Sequence, residues 1–268
     1  MPKNDMEPNR YSRLIEAIFN KHYQEGIREI IFERVEINQV AEKLGVVLPK
    51  NLGDVLYSFR YRSDLPSAIV MTAPEDFEWI IRPAGRAKYK FVLVKHSVIL
   101  PSTYLIETKI PEATPGVIAK YSMNDEQALL AKLRYNRLVD IFTGLTCYSL
   151  QNHLRTTLKD GSQIETDEIY IGLDKRGAHY ILPVQAKGRK DKLGVVQIEQ
   201  DFDMCAAKFP HLLCRSIASQ LIEHNLIAMF EFEQTNEGVK VSAEKHYLLV
   251  KPEELSDEEL EGYRVRQL

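Results

Sequence analysis

Between Gly161 and Lys192, carboxylate, amide and lysine side chains recur at alternate positions on either side of a turn. The run G-S-Q-I-E-T-D-E-I-Y-I-G-L-D carries Glu165 and Asp167, and A-H-Y-I-L-P-V-Q-A-K-G carries Gln185 and Lys187. These residue types suit phosphodiester hydrolysis. That reaction needs a metal held by oxygen ligands, an activated water and positive charge near the phosphorane. Magnesium takes a few carboxylates together with waters and phosphate oxygens. Asp167 would supply the carboxylate, Gln185 its side-chain carbonyl and Ala186 its backbone carbonyl. Lys187 would polarise the water or stabilise charge on the phosphate. Gln is a weaker ligand than Glu, so Glu165 or Glu126 is expected to complete the set, unless Glu165 instead pairs with Lys187.

The positioning element is a predicted hairpin. Strand side chains alternate between faces, and Lys175-Arg176-Gly177 suits a three-residue loop with Gly in the left-handed position. That loop sets Asp174 opposite Ala178, and the register then brings Asp167 opposite Gln185 and Glu165 opposite Lys187. The expectation is one patch of side chains on one face; a slip of one residue would scatter them.

Around the hairpin the pattern predicts a helix from Asn124 or Ser122 to about Phe142, carrying Glu126 in its first turn. Strands follow at Thr146–Leu158, Gln163–Leu173 and Tyr180–Lys187, then a helix over Val195–Phe209 and strands at Leu212–Ser219, Leu226–Glu233 and His246–Val250. An acid on one strand followed by an acid-X-Lys triplet on the next resembles the core of the PD-(D/E)XK nuclease superfamily, here with Gln185-Ala186-Lys187 as a Q-x-K variant. The resemblance covers roughly Asn124 to Glu233. It implies a restriction-endonuclease-like α+β or α/β core, a mixed central sheet flanked by helices. It also implies Mg²⁺ as cofactor, double-stranded DNA as substrate and a homodimer that cuts both strands. A companion DNA methyltransferase would complete such a system. Many relatives carry a Gln on the helix after the lysine strand, a place that Gln197 and Gln200 occupy beside Asp201.

The first third reads differently. Ser12–Gln24 is a predicted amphipathic helix, Ile30–Ile37 a strand and Glu36–Leu44 a short helix. A second helix runs from Asn51 to Arg62, with Leu52, Val55, Leu56 and Phe59 inward and Tyr57, Ser58 and Tyr61 outward. Lys50 stands at its start, Arg60 and Arg62 at its end. Strands at Phe77–Arg82 and Lys88–Lys95 flank Pro83-Ala84-Gly85. This order suits a winged helix-turn-helix over residues 1–110, ahead of a nuclease domain over 111–268. The Asn51–Arg62 helix would read bases, while Arg82, Arg86, Lys88 and Lys90 on the wing would meet phosphates.

Bulk properties bound these readings. A chain of 268 residues, 44% hydrophobic and 27% charged, has the composition of a soluble globular protein with room for two domains. No apolar run is long enough to span a bilayer, and Met1 to Arg10 is polar apart from its Met and Pro residues, so neither membrane nor signal peptide is expected. The three cysteines lie in apolar periodic segments, which favours reduced thiols and a cytoplasmic location. Cys205, His211 and Cys214 match no common zinc spacing. The net charge of −3 does not exclude nucleic acid, because six carboxylates between Glu253 and Glu261 leave +3 for the rest.

The leading reading is therefore a site-specific, restriction-type endodeoxyribonuclease. A structure-specific or RNA-directed nuclease with the same core stays open. So does a non-catalytic DNA-binding regulator with a degenerate nuclease domain.

Overall fold

The structure is a computed structural model. It describes residues 11–50, 52–61, 63–95, 97–122, 125–159, 161–236 and 238–265. The chain divides into two compact units: Met1–Ile99 with Thr157–Gln163 and Gly194–Val196, and Leu100–Thr156 with Ile164–Leu193 and Gln197–Leu268.

In the first unit α1 (Ser12–His22) leads to β1 (Glu29–Glu33), α2 (Arg34–Leu44), α3 (Gly53–Tyr61), the short α4 (Ser67–Val70), β2 (Glu78–Pro83), β3 (Lys88–Val94) and β4 (Val98–Ile99). Strands β1, β3 and β2 form an antiparallel sheet in that order. Alternation decides what it buries: Ile30 and Phe32 of β1 and Trp79 and Ile81 of β2 turn inward. They join a core with Leu14, Ile15, Ile18 and Phe19 of α1, Ile37 of α2, and Val55, Leu56 and Phe59 of α3. The strand expected over Ile30–Ile37 stops at Glu33. There Glu33 N–H donates to Glu36 Oε1 at 2.9 Å, so the chain turns into α2 through a capping box rather than continuing extended.

The second unit contains β5 (Glu107–Pro111), α5 (Gly116–Tyr121), α6 (Asp125–Tyr135), α7 (Leu138–Thr143), β6 (Thr146–Thr157), β7 (Gln163–Leu173), β8 (His179–Lys187), β9 (Leu193–Gly194), α8 (Val195–Lys208), β10 (Leu213–Cys214), β11 (Ser216–Leu221), β12 (Leu226–Thr235), β13 (Gly238–Val250) and α9 (Asp257–Val265); some of these elements cross the division between units. Its sheet has the order β5-β13-β12-β11-β8-β7-β6, with β10 also on β8. The sheet is mixed: β8 is antiparallel to β7 and parallel to β11. Leu129, Leu130 and Leu133 of α6 pack with Leu138 and Val139 of α7 over Tyr170, Leu182, Val184 and Ala186. The chain is thus mixed α and β, with a large mixed sheet flanked by helices.

The single helix expected to Phe142 is two. Arg137 takes φ 54° in the left-handed region. Asn136 stabilises the break, donating to Lys132 O at 2.9 Å and accepting from Ala113 N at 2.6 Å. The strand expected over Leu212–Ser219 is interrupted between Cys214 and Ser216, where Arg215 N–H bonds Ile181 O at 3.0 Å. The final strand is longer than expected, starting at Gly238 rather than His246. Part of the acidic tail is helix α9, and Glu259 pairs with Lys109 at 2.6 Å. Among the described residues no helix is long and apolar enough to cross a membrane.

Glu36 ties α1 to α2. Burial pushes its carboxyl up, but donors from Lys21, the Glu33 N–H and His22 overcome this and hold it at about 2. A depressed carboxylate stabilises the fold above its unfolded pKa, and that stability is lost as pH falls towards the folded value. Glu36→Gln should therefore cost roughly 2 kcal/mol at pH 7. The loss should shrink towards pH 2, as followed by urea unfolding across the acid range.

Candidate functional site

The predicted hairpin forms with the predicted register. Asp174 N–H bonds Ala178 O at 3.2 Å, and the pairs run from Leu173↔His179 to Glu168↔Val184. Gly177 supplies the left-handed residue of the turn at φ 83°. One further step would set Asp167 opposite Gln185, but regular pairing ends before it. The Ala186 N–H, which a continued ladder would aim at Thr166, donates instead to Asp167 Oδ2 at 2.8 Å. Past this point the side chains do not keep one alternation.

The expected patch is accordingly split. Asp167 is buried against the Ala186 amide and shares a hydrogen bond with Glu126 in the first turn of α6. Ala186 faces the α6 core, so its neighbour Gln185 points to the opposite side of the sheet. There Gln185 Nε2 donates to both oxygens of Asp201 on α8, at 3.1 and 3.0 Å, and lies 3.4 Å from Glu165 O. Thr166 Oγ1, not Asp167, joins Gln185 on Asp201 at 2.6 Å. The Glu165 side chain leaves the group and pairs with the exposed Arg155 at 2.9 Å. It does not pair with Lys187 as one expectation had it. Lys187 is half-buried at the strand end, close enough for its charge to act on both Glu126 and Asp201.

Electrostatics mark this junction as costly. Burial, then the Asp167 charge, holds Glu126 above the ordinary carboxylate range, with Lys187 opposing. Asp201 has no exposure, and burial pushes it up to about 7 despite the Thr166 and Gln185 donors. The Gln185 carbonyl oxygen is itself buried without a hydrogen-bond partner among the described residues. Such an atom costs roughly 1–3 kcal/mol unless something binds it.

The loop after Lys187 forms an open pocket of about 500 Å³ lined by Asp125, Gly188, Arg189, Lys190 and Asp191. Arg189 pairs with Asp125 at 3.2 Å, and Gly188 N–H donates to Asp191 Oδ2 at 3.1 Å. A Cβ on Gly188 would come within 2.8 Å of that oxygen and 3.2 Å of Asp125 Cβ, so a larger residue would push these two side chains aside. Helix α6 is pinned to β7 by Glu168, fully buried, which accepts from Arg134 at 2.8 Å and Ser149 at 2.6 Å.

Sequence reading passed over Thr166 and Gln220 and gave Asp201 no role. Gln220 pairs with Lys187 in the parallel ladder and donates to Asp191 O at 3.0 Å, which braces the loop. An acid directly after Gln200 and one turn past Gln197 was the available signal for Asp201. Gln197 is half-buried and Gln200 buried, and it is Asp201 between them and Cys205 that meets Gln185. Among the described residues no group of three or more His, Cys, Asp and Glu forms a metal cage. The oxygen donors that stand together are Asp167 and Glu126; the Gln185 carbonyl lies on the other face of the sheet.

In the first unit Tyr57 is exposed on α3 and Ser58 bonds Ser63 at 3.0 Å. Arg60 and Arg82 are half-buried, whereas Lys50 and Arg86 are exposed. Lys88 pairs with Glu33 at 3.6 Å and Lys90 with Glu29 at 2.8 Å, so β1 neutralises part of the expected wing charge. Asn51, Arg62 and the Tyr61 side chain, together with the Asn124 cap, lie outside the described residues. Comparison with family models, curated proteins and solved structures gives no match.

Asp167→Asn should lower the Glu126 pKa and, with the amide oxygen still accepting from Ala186 N–H, raise the melting temperature at neutral pH. A raised carboxylate binds more protons folded than unfolded, so its contribution worsens as pH rises through the folded pKa. The variant should then lose less stability than wild type between pH 5 and 8, measured by thermal melts with carboxyl NMR of Glu126.

Proposed function

We propose that the chain is a Mg²⁺-dependent endodeoxyribonuclease of restriction type, with a winged helix-turn-helix reader preceding a PD-(D/E)XK-like core. The observation that carries this is the junction at the end of β8. Repelling carboxylates of Glu126 and Asp167 stand beside Lys187. A divalent cation between the two carboxylates relieves their repulsion. Asp167 and Glu126 would hold it, and the cation would supply Lewis acidity to the scissile phosphate. Lys187 would orient the attacking water and offset charge on the phosphate. The pocket lined by Arg189 and Lys190 provides cations next to these groups.

The element order α1-β1-α2-α3-β2-β3 with sheet order β1-β3-β2 supports the winged-helix reading. Lys50, Tyr57 and Arg86 are its exposed candidates for nucleic-acid contact. A homodimer would allow both strands to be cut, and a companion methyltransferase would protect the host.

Purified wild type should nick supercoiled plasmid with Mg²⁺ and stop with a chelator, while Lys187→Ala should fall at least 100-fold with its fold retained by circular dichroism. Equal inertness of both proteins refutes catalysis and leaves the regulator reading. Lys50→Ala with Arg86→Ala should weaken DNA binding and reduce the salt slope by about 2. An unchanged slope refutes the reader assignment.

A further inference from the structure

Residues 188–191 form a closed turn after β8. Asp191 N–H donates to Gly188 O at 3.2 Å, and Gly188 N–H donates back to Asp191 Oδ2 at 3.1 Å. Gln220 Nε2 holds Asp191 O from β11. Arg189 and Lys190 therefore occupy the two corner positions of a braced turn.

The pocket they line with Asp125, Gly188 and Asp191 carries as many acids as bases, yet the two signs are committed differently. Asp191 is taken up by the Gly188 amide, and Asp125 accepts from both the backbone and the guanidinium of Arg189. The guanidinium pairs side-on, through Nε at 3.2 Å and Nη2 at 3.5 Å. Among the described residues, Arg189 Nη1 and the Lys190 ammonium then have no hydrogen-bond partner. A guanidinium fixed along one edge keeps its remaining donors for an incoming oxyanion.

Position says which oxyanion. Asp125 precedes Glu126 and Gly188 follows Lys187, so the pocket borders the carboxylates and lysine of the proposed centre. We propose that it binds a non-scissile phosphate of the DNA strand being cut, with Arg189 and Lys190 as the donors. This rests on the nuclease reading above. Such a contact fixes the register of a strand without reading its bases.

The hairpin supplies its own control. At its far turn Arg176 also pairs with an aspartate, Asp174, and Lys175 is exposed. Binding of a short fluorescent duplex to the full chain in EDTA, followed by anisotropy across a salt series, compares the two ends. Arg189→Ala with Lys190→Ala should weaken binding roughly fivefold and lower the salt slope by about 1, the share of one phosphate. In plasmid nicking with Mg²⁺ the same variant should raise KM and leave kcat unchanged, as loss of uniform binding does. Lys175→Ala with Arg176→Ala removes equal charge and should change neither slope nor KM. Should the first double variant not fold, Lys190→Glu should weaken duplex binding where Lys175→Glu does not. Equal effects at both ends, or none at either, overturn the phosphate site, and nicking by wild type then leaves the nuclease reading standing. Wild type that binds duplex with the expected difference but never nicks keeps the phosphate contact and overturns the nuclease reading. Wild type that neither binds nor nicks overturns both.

Discussion

One hydrogen bond, from the Ala186 amide to Asp167 Oδ2, organises the end of the central hairpin. By taking an N–H that would otherwise extend the β7–β8 ladder, it ends regular pairing after Glu168↔Val184. The two strands then send their polar side chains to different neighbours. Asp167 meets Glu126 on one side, and Thr166 and Gln185 meet Asp201 on the other. A continued ladder would have turned Asp167 to the Gln185 face and Thr166 away from it, leaving Asp201 buried with one donor fewer. That would be costly for a carboxylate with no exposure.

The rest of the unit holds this junction in place. Arg134 and Ser149 converge on the buried Glu168, which fixes α6 and hence Glu126 relative to β7. Gln220 grips the loop after Lys187 through Asp191 O, and Gly188 lets that loop approach α6. These contacts enclose repelling carboxylates and an unpaired carbonyl, a local cost that a well-packed sheet can carry. Groups with shifted titration gathered at a strand end are a common mark of functional sites.

The first unit illustrates how neighbours redefine charge. Lys88 and Lys90 look available for phosphates in the sequence, yet β1 sets Glu33 and Glu29 beside them. Exposed ion pairs of this kind are weak, at most about 1 kcal/mol, so a polyanion could compete for these lysines. Arg86 at the turn remains exposed.

The amino-acid order by itself determined the hairpin. Gly177 in a three-residue loop sets Asp174 against Ala178, and strict alternation carries that register to Val184. It also determined most helices and strands, because apolar spacing is a local signal. Helix breaks escaped it where the cause was a distant partner, as when Ala113 caps Asn136 and the chain turns at Arg137. The division of labour among Glu165, Asp167 and Gln185 was decided only in three dimensions. It depends on a side chain competing with backbone for one N–H and on a carboxylate arriving from α8. Alternation describes strands in a ladder, and it ceases to govern where the ladder stops.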